Sequence, residues 1–302
     1  MNIHGVMVTY RRPQQAYETL SKVATQTRPP DTMTVVDNSP ELGGENRSFL
    51  DAWGGDIRYL AMSENLGPAG GIAHGMRAVL EWAEPDDWIL LIDDDDPPPA
   101  SDTVERLCAL VCSLGDVHDR VGGVGVVGAR YDLRRGQVIR IEDHELSAGA
   151  VPVDHIGGNQ YPLYSVNAVR AVGVFDDRLF FGFDDLEYGL RLTADGWNLY
   201  CDGEYRLSRR VAAGRVGKKQ SRPTWTMSSD SWRSYYSRRN TLLILRYHRS
   251  WRGVLWVAAV GLAKPVASLP RSPRIGLRAL RLQYRAVWHG LTGRSGRTVE
   301  PS

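Results

Sequence analysis

Through its first hundred residues the chain alternates short apolar runs with helical patterns, and no other feature limits the fold as much. Ile3–Thr9 (IHGVMVT), Thr32–Asp37 (TMTVVD), Ile57–Ala61 and Trp88–Ile92 (WILLI) read as strands. Gln14–Thr25, opened by Pro13, and Gly70–Trp82, with Ile72, Met76, Val79 and Leu80 on one face, read as helices. Runs that are apolar throughout must be covered on both faces, and the intervening helices supply that cover. The expectation is an α/β fold, a Rossmann-like, mostly parallel sheet with helices on both faces. Such sheets bind ligands outside the carboxyl ends of their strands. The residues to watch are therefore Thr9, Arg11, Asp37, Asn65 and Asp93–Asp96. Further on, the pattern predicts a helix over 101–114, a strand over Val121–Tyr131 and a short helix near Ser165–Ala171. A loop from Phe180 then becomes a helix ending near Ala194, and Trp197–Tyr200 is a last short strand.

Charge divides the chain in two. Residues 1–204 carry 16 Lys and Arg against 33 Asp and Glu, a net −17; residues 205–302 carry 21 against 2, a net +19. A basic region of this strength points to an anionic partner: a membrane surface, a nucleic acid or a phosphate-bearing lipid. Arg209–Ser231 reads as basic, polar and mobile, and Ser231–Arg249 and Leu277–Leu291 as Arg-rich amphipathic helices. Between them, Val254–Ala263 is apolar for only 10 residues, where a bilayer span needs roughly 20. The 42% apolar and 24% charged content is that of a globular protein and excludes a disordered one. The 3 cysteines form no CxxC pair and no even set, which points to a reducing compartment with Cys108 and Cys112 buried one helical turn apart. The opening MNIHGVMVTYRRP lacks the pattern of a secretory signal. A cytoplasmic location is expected.

Three segments carry candidate chemistry. Asp93-Asp94-Asp95-Asp96 directly follows a buried strand. Adjacent carboxylates repel one another unless a cation or an array of donors sits among them, and hard carboxylate oxygens beside a diphosphate suit Mg²⁺ or Mn²⁺. In FFGFDDLEYGLR (Phe180–Arg191), Asp184 and Asp185 lie at a helix start, where two carboxylates can divide labour between an ionised group and a general base. In NLGPAGG (Asn65–Gly71), Gly67, Gly70 and Gly71 could bring backbone N–H groups to a phosphate or sugar. The string GVGVVG (Gly123–Gly128) matches a dinucleotide fingerprint in letters only, since its valines favour strand and no helix follows. There is no HExxH and no GxSxG elbow.

Taken together, VTYRRP (Val8–Pro13), VVDNSP (Val35–Pro40), ENLGPAGG (Glu64–Gly71), LLIDDDDPPP (Leu90–Pro99) and FFGFDDLEYGLRL (Phe180–Leu192) resemble the family 2 inverting glycosyltransferases of GT-A fold, in the family's order and over roughly residues 3–200. YYSRRN (Tyr235–Asn240) is similar to the C-terminal region of bacterial members that add galactofuranose or rhamnose. The resemblance implies a GT-A catalytic domain over 1–204, with a nucleotide-sugar half at about 1–100 and an acceptor half at about 101–204, followed by a basic helical region over 205–302. It implies that Thr9, Arg11, Asp37, Asn65, Gly67, Gly71, Asp93 and Asp94 bind the nucleotide sugar, that Asp95 and Asp93 hold a Mn²⁺ or Mg²⁺ ion, and that Asp185, with Asp184 as second choice, deprotonates the acceptor hydroxyl. Many members carry a metal-binding His about a dozen residues after the Gly-Trp that matches Gly196-Trp197. Here Tyr205–Arg210 holds no His. Arg209 or Arg210 could then clamp the diphosphate instead, because guanidinium binds phosphate but cannot ligate a metal.

The expected activity is sugar transfer from a UDP- or dTDP-sugar, such as a galactofuranose or rhamnose donor, to a lipid-linked glycan of the cell envelope. A soluble secondary metabolite is the alternative acceptor. The enzyme would lie peripherally on the inner face of the plasma membrane, with Trp251, Leu255, Trp256 and Leu262 inserted and Arg246, Arg249, Arg252, Arg278, Arg281 and Arg285 facing anionic lipid. A nucleic-acid-binding protein would explain the basic third but not the acidic front, so no nucleic-acid partner is expected. A nucleotidyltransferase would need a Gly-bearing loop after the first strand, which TYRRPQQ lacks.

Overall fold

The structure, a computed structural model, describes residues 1–42, 47–115, 120–218, 232–269 and 273–300. In chain order its strands and helices are β1 (Ile3–Thr9), α1 (Pro13–Ala24), β2 (Thr32–Asp37), β3 (Asp56–Ala61), α2 (Gly67–Leu80), β4 (Trp88–Asp93), α3 (Thr103–Gly115), β5 (Val121–Gly125), β6 (Gly128–Asp132), β7 (Gln137–Ile139), α4 (Asp143–Leu146), β8 (Ala150–Val153), β9 (His155–Ile156), β10 (Leu163–Ser165), α5 (Val166–Val172), α6 (Asp184–Ala194), β11 (Asn198–Asp202), α7 (Gly203–Ala212), α8 (Trp232–Tyr247), α9 (Trp251–Ser268) and α10 (Pro273–Thr292). They form two compact units.

The first unit, residues 1–129, 141–177 and 185–217, is built on an eight-stranded sheet in the order β3-β2-β1-β4-β10-β5-β11-β8. β3, β2, β1 and β4 run parallel; β10 is antiparallel to both its neighbours, and β8 to β11. The WILLI run explains itself here. Leu90 and Ile92 join Ile3, Met7, Leu20 and Leu107 in the core on one face, while Ile89 and Leu91 join Val6, Met76, Tyr188 and Leu192 on the other. Each fully buried Leu or Ile contributes about 1.5–3 kcal/mol.

α2 lies close on the sheet because its inner face carries glycines. A methyl group on Gly75 would come within 2.5 Å of Val6 Cγ1, and one on Gly71 within 2.5 Å of Val8 Cγ1. The GVGVVG string lies in β5 and the start of β6, where its glycines admit Tyr164, Ile156 and Val153. Val124 is in a strand, but Val126 and Val127 form the bend between two: the one run expected over Val121–Tyr131 is two strands broken after Gly125.

The second unit, residues 130–140, 178–184 and 218–302, contains a hairpin, Arg130–Asp132 on Gln137–Ile139, and three helices. α8, α9 and α10 pack on one another, with Tyr235 and Tyr236 of α8 in a cluster with Phe180 and Ala286. The apolar stretch Val254–Ala263 is the middle of the 18-residue α9.

Some local expectations change. The basic stretch Arg209–Ser231 is helical through Ala212, as the end of α7, and its residues 219–231 lie outside the described ones. Contrary to the expectation of a buried pair, Cys108 is half-buried and Cys112 exposed; Cys201 is buried.

Candidate functional site

The register of the sheet brings three polar residues to one edge. β1 pairs with β2 through Thr9 and Asp37, and with β4 through Val8 and Asp93. The four aspartates that begin with the last residue of β4 face different ways. Asp94 turns into the protein, accepting from the Thr9 hydroxyl at 2.8 Å and from Arg12 Nη1 at 3.3 Å, while its carbonyl accepts from the Thr19 hydroxyl at 2.9 Å. Arg12, at the N-terminus of α1, also pairs with Asp95. Carboxylate oxygens of Asp93, Asp94 and Asp95 all lie within 4.8 Å of one another. Burial, and then the charges of Asp95, Asp94 and Asp96, push the Asp93 carboxyl up to about 6. Burial also raises Asp94, against the Thr9 hydrogen bond and the Arg12 charge.

Asp37 is buried. Its carboxylate accepts from the Tyr59 hydroxyl at 2.7 Å and from the Ser39 N–H at 2.9 Å. Arg11 is exposed with a left-handed backbone (φ 56°), donates its N–H to the Ser39 hydroxyl and pairs with Glu41. Asn65 accepts the Gly67 N–H at 2.8 Å; Gly67 takes φ 70°, and its carbonyl accepts from Asn38 at 3.0 Å. Gly71 is packed under α2 against Val8 and the Asn38 amide. Asn65, Gly67 and Asn38 thus form the turn into α2, while Gly71 faces the sheet.

Asp185 lies in the first turn of α6, half-buried, and accepts the Leu186 N–H at 2.8 Å. Asp184, one residue earlier, is buried. Gly189, one turn after Asp185, presses α6 onto β9: a methyl group there would reach within 2.8 Å of His155 Cα. Asp185 Oδ2 lies 3.7 Å from the position a Gly157 Cβ would take. The loop that begins at Gly157 returns to the aspartates. Asn159 Nδ2 donates to Asp96 Oδ2 at 2.9 Å, and the Tyr161 hydroxyl to the Asp96 carbonyl at 2.8 Å. The loop 157–161 thus passes beside Asp185 at one end and hydrogen-bonds Asp96 at the other. Beside it opens a cavity of about 560 Å³ whose lining includes Asp96, Asn159, Gln160, Tyr161, Tyr205 and Arg209.

Of the two arginines offered as substitutes for the missing His, only Arg209 reaches this cavity. Arg210 is buried, pairs with Asp143 and donates to the Ile141 carbonyl at 2.9 Å. Glu187 and Arg191 form an i,i+4 pair at 2.9 Å that is largely buried, and Arg191 also donates to the carbonyls of Val172 and Val174. Residues that sequence reasoning passed over are Arg12, Asn38, His155, Asn159 and Tyr161. Arg12 stands directly before the helix-opening Pro13 and could have been placed at the strand end. Asn38 follows Asp37 in VVDNSP and could have been placed likewise; nothing local marks His155, Asn159 and Tyr161. Burial holds the His155 imidazole below its ordinary value, against the charges of Asp185 and Asp154.

The chain belongs to glycosyl transferase family 2, whose family profile matches residues 6–161. It is 33% identical over 201 residues to galactofuranosyltransferase GlfT1 of Mycobacterium tuberculosis (strain ATCC 25618 / H37Rv), a match covering 65% of this chain and 66% of that protein. To the GlfT1 of Mycolicibacterium smegmatis it is 34% identical over 204 residues, covering 64% and 65%. The matched region thus spans about two thirds of each relative's length. Among solved structures, GalNAc-T7 with UDP, GalNAc and Mn²⁺ superimposes with a TM-score of 0.61 at 11% identity, over 97% of this chain and 58% of that one. S. aureus TarS 1–349 in complex with UDP-GlcNAc gives a TM-score of 0.52 at 12% identity, over 95% and 82%. The GT-A fold expected from the sequence is the fold of the protein.

Proposed function

We propose that the protein transfers a sugar from a nucleotide-diphosphate donor to an acceptor hydroxyl with inversion, and that Asp185 is the base. The observation that carries this reading is the 157–161 loop, which passes beside the half-buried Asp185 carboxylate at Gly157 and hydrogen-bonds Asp96, the last of the aspartate run, through Asn159 and Tyr161. An alcohol attacks a sugar carbon only if a base at hydrogen-bond distance takes its proton. Asp185 has the exposure for this; Asp184 is buried. Thr9, Arg11, Asp37, Asn65, Gly67, Asp93 and Asp94 then shape the donor side. Asp37 would offer the base its carboxylate in competition with Tyr59 and Ser39, while Asp94 and Gly71 would act from beneath by fixing the strand end and α2. The named activity of the GlfT1 relatives supports a galactofuranose donor; a UDP linkage, and a dTDP-linked rhamnose donor as the next choice, rest on the sequence resemblance. A thermal-shift screen of UDP- and dTDP-sugars with and without Mn²⁺ tests the reading. Stabilisation by one nucleotide series is expected; no stabilisation by any would sink it.

The aspartates fit a divalent ion, since three hard carboxylates converge within 4.8 Å. Asp95 and Asp93 would hold Mn²⁺ or Mg²⁺, which when bound neutralises the charge developing on the leaving diphosphate. Arg12 already pairs with Asp95 and must yield it. Arg209, exposed in the cavity beside Asp96, supplies a further positive charge that phosphate oxygens could meet. Activity is expected to fall in EDTA and recover with Mn²⁺ or Mg²⁺, with weak metal affinity for want of the His. Undiminished turnover in EDTA would transfer the charge-neutralising role to Arg209.

The acceptor reading is a lipid-linked envelope glycan met at an anionic membrane surface. Among the described residues no helix is long and apolar enough to cross a membrane. On α9, Trp251, Leu255 and Trp256 are exposed at 59, 73 and 50%, and on α10 Tyr284 and Trp288 stand out at 62 and 58% beside the exposed Arg278, Arg281 and Arg285. Aromatic rings flanked by arginines suit a headgroup layer. Leu262 is only half-exposed, and Arg246 is occupied by the Gly290 carbonyl at 2.9 Å. Flotation with phosphatidylglycerol vesicles should carry the protein upward at low salt and less so at high salt. Protein that stays at the bottom in both would turn the acceptor toward a soluble molecule.

A further inference from the structure

The YYSRRN motif lies on α8, and the proposed reaction uses none of it, yet Arg239 and Asn240 are both 0% exposed. A buried guanidinium and a buried amide require hydrogen-bond partners. Both donate to one segment, 178–184, of the same unit. Asn240 Nδ2 donates to the carbonyls of Leu179 at 3.1 Å, Phe181 at 2.9 Å and Gly182 at 2.7 Å. Arg239 Nη2 donates to the Leu179 carbonyl at 2.7 Å, and its Nε to Asn240 Oδ1 at 2.8 Å, which orients the amide toward its three acceptors. Arg239 Nη1 is anchored in turn by the Gly296 carbonyl at 2.6 Å and the Thr298 hydroxyl at 3.1 Å.

The segment so gripped is not one a chain adopts unaided. Phe180 and Phe183 have left-handed backbones, φ 60° and 62°, with Gly182 at 75° between them. Bulky residues persist there only where their surroundings over-determine the conformation. Rings complete the hold: Phe180 packs on Tyr236 with centroids 5.2 Å apart, and Phe181 on Trp232 at 4.6 Å. The segment's last residue is Asp184, the first of α6, and the next residue in the chain is Asp185.

We propose that Arg239 and Asn240 are positioning residues for sugar transfer: by holding Phe180–Phe183 in this strained form they set where α6 begins, and with it where the Asp185 carboxylate stands relative to the acceptor hydroxyl. The inference rests on the assignment of Asp185 as base. A misplacement of about 1 Å in a reacting group can cost on the order of 10²-fold in rate, so loosening the grip should act on turnover and spare the donor.

The test measures turnover per nucleotide-binding site, counted by titration with UDP so that misfolded protein is left out, in Asn240→Ala and Arg239→Lys. Asn240→Ala should lower kcat by about 10–100-fold while the UDP dissociation constant stays within about twofold. Arg239→Lys, which keeps the charge but loses the fork, should fall between it and the parent. The acid limb of the pH–rate profile should keep its position at a lower plateau, because the proton acceptor itself is unchanged. Parental turnover per site in both variants would overturn the proposal. So would a loss of UDP affinity in proportion to the loss of kcat, which would mark a general structural role. Asp185→Asn in the same assay separates the two readings. If it stays active, the base assignment fails and this inference with it; if it is inactive while Asn240→Ala is unimpaired, only the inference fails.

Discussion

Asp185→Asn should lower turnover by about 10²–10⁴-fold, the range for loss of a positioned general base, with donor affinity nearly unchanged. The substitution keeps the shape of the side chain, and its amide oxygen can still accept the Leu186 N–H that Asp185 accepts at 2.8 Å. What disappears is the capacity to take a proton. Steady-state kinetics with a UDP-binding titration separates the two quantities. Equal losses in kcat and in nucleotide affinity would make Asp185 a structural residue and leave the reaction without its base.

The second large effect belongs to the aspartate cluster and has opposite signs in activity and stability. Asp95→Ala and Asp93→Asn should each abolish measurable transfer, because each removes a carboxylate from the group that would hold the metal and the leaving diphosphate. Asp93→Asn should also make the metal-free protein more stable. The ordinary carboxyl value lies near 4, and the fold pushes Asp93 up to about 6. The folded protein therefore keeps a proton that the unfolded chain has already released. The stability this group contributes is present below about 4, is lost as the pH rises through about 6, and stays lost at neutral pH. Asn cannot ionise, so the variant should melt a few degrees higher than the parent at pH 8, with the gap closing toward pH 4. A variant that melts lower at pH 8 would mean that Asp93 is held by compensating charges and is not under repulsion. Wild-type turnover in Asp95→Ala would remove the site.

Much of the architecture could be read from periodicity. The four parallel strands, the helices between them and the placement of polar residues after β1, β2 and β4 all follow from short-range patterns that the structure repeats within a few residues. What periodicity does not report is direction. Gly67 and Gly71 look alike in sequence, but the first turns the chain and the second lets α2 settle onto Val8; only the sheet beneath tells them apart. Arg209 and Arg210 are adjacent, and the 100° between neighbours on a helix sends one to the cavity and the other to Asp143. Asp94 reads as one of four equal carboxylates until Thr9 and Thr19 are seen to draw it inward. Least visible of all was the hold of Asn240 on Phe181 and Gly182, some 60 positions apart, since pairing over that separation leaves no local trace.

That hold has a consequence for biosynthesis. Domains generally form from the N-terminus as the chain is made, at roughly 5–20 residues per second. Every strand of the eight-stranded sheet is complete once residue 202 has been made. The segment before Asp184 is different: its grip depends on Arg239 and Asn240, and Arg239 depends on Gly296 and Thr298, while the Gly296 N–H closes the ring on the Arg178 carbonyl at 2.6 Å. If Asp185 is the base, a nascent chain would complete its sheet several seconds before the segment ahead of that residue is held, and a chain halted short of Gly296 would lack the anchors of Arg239.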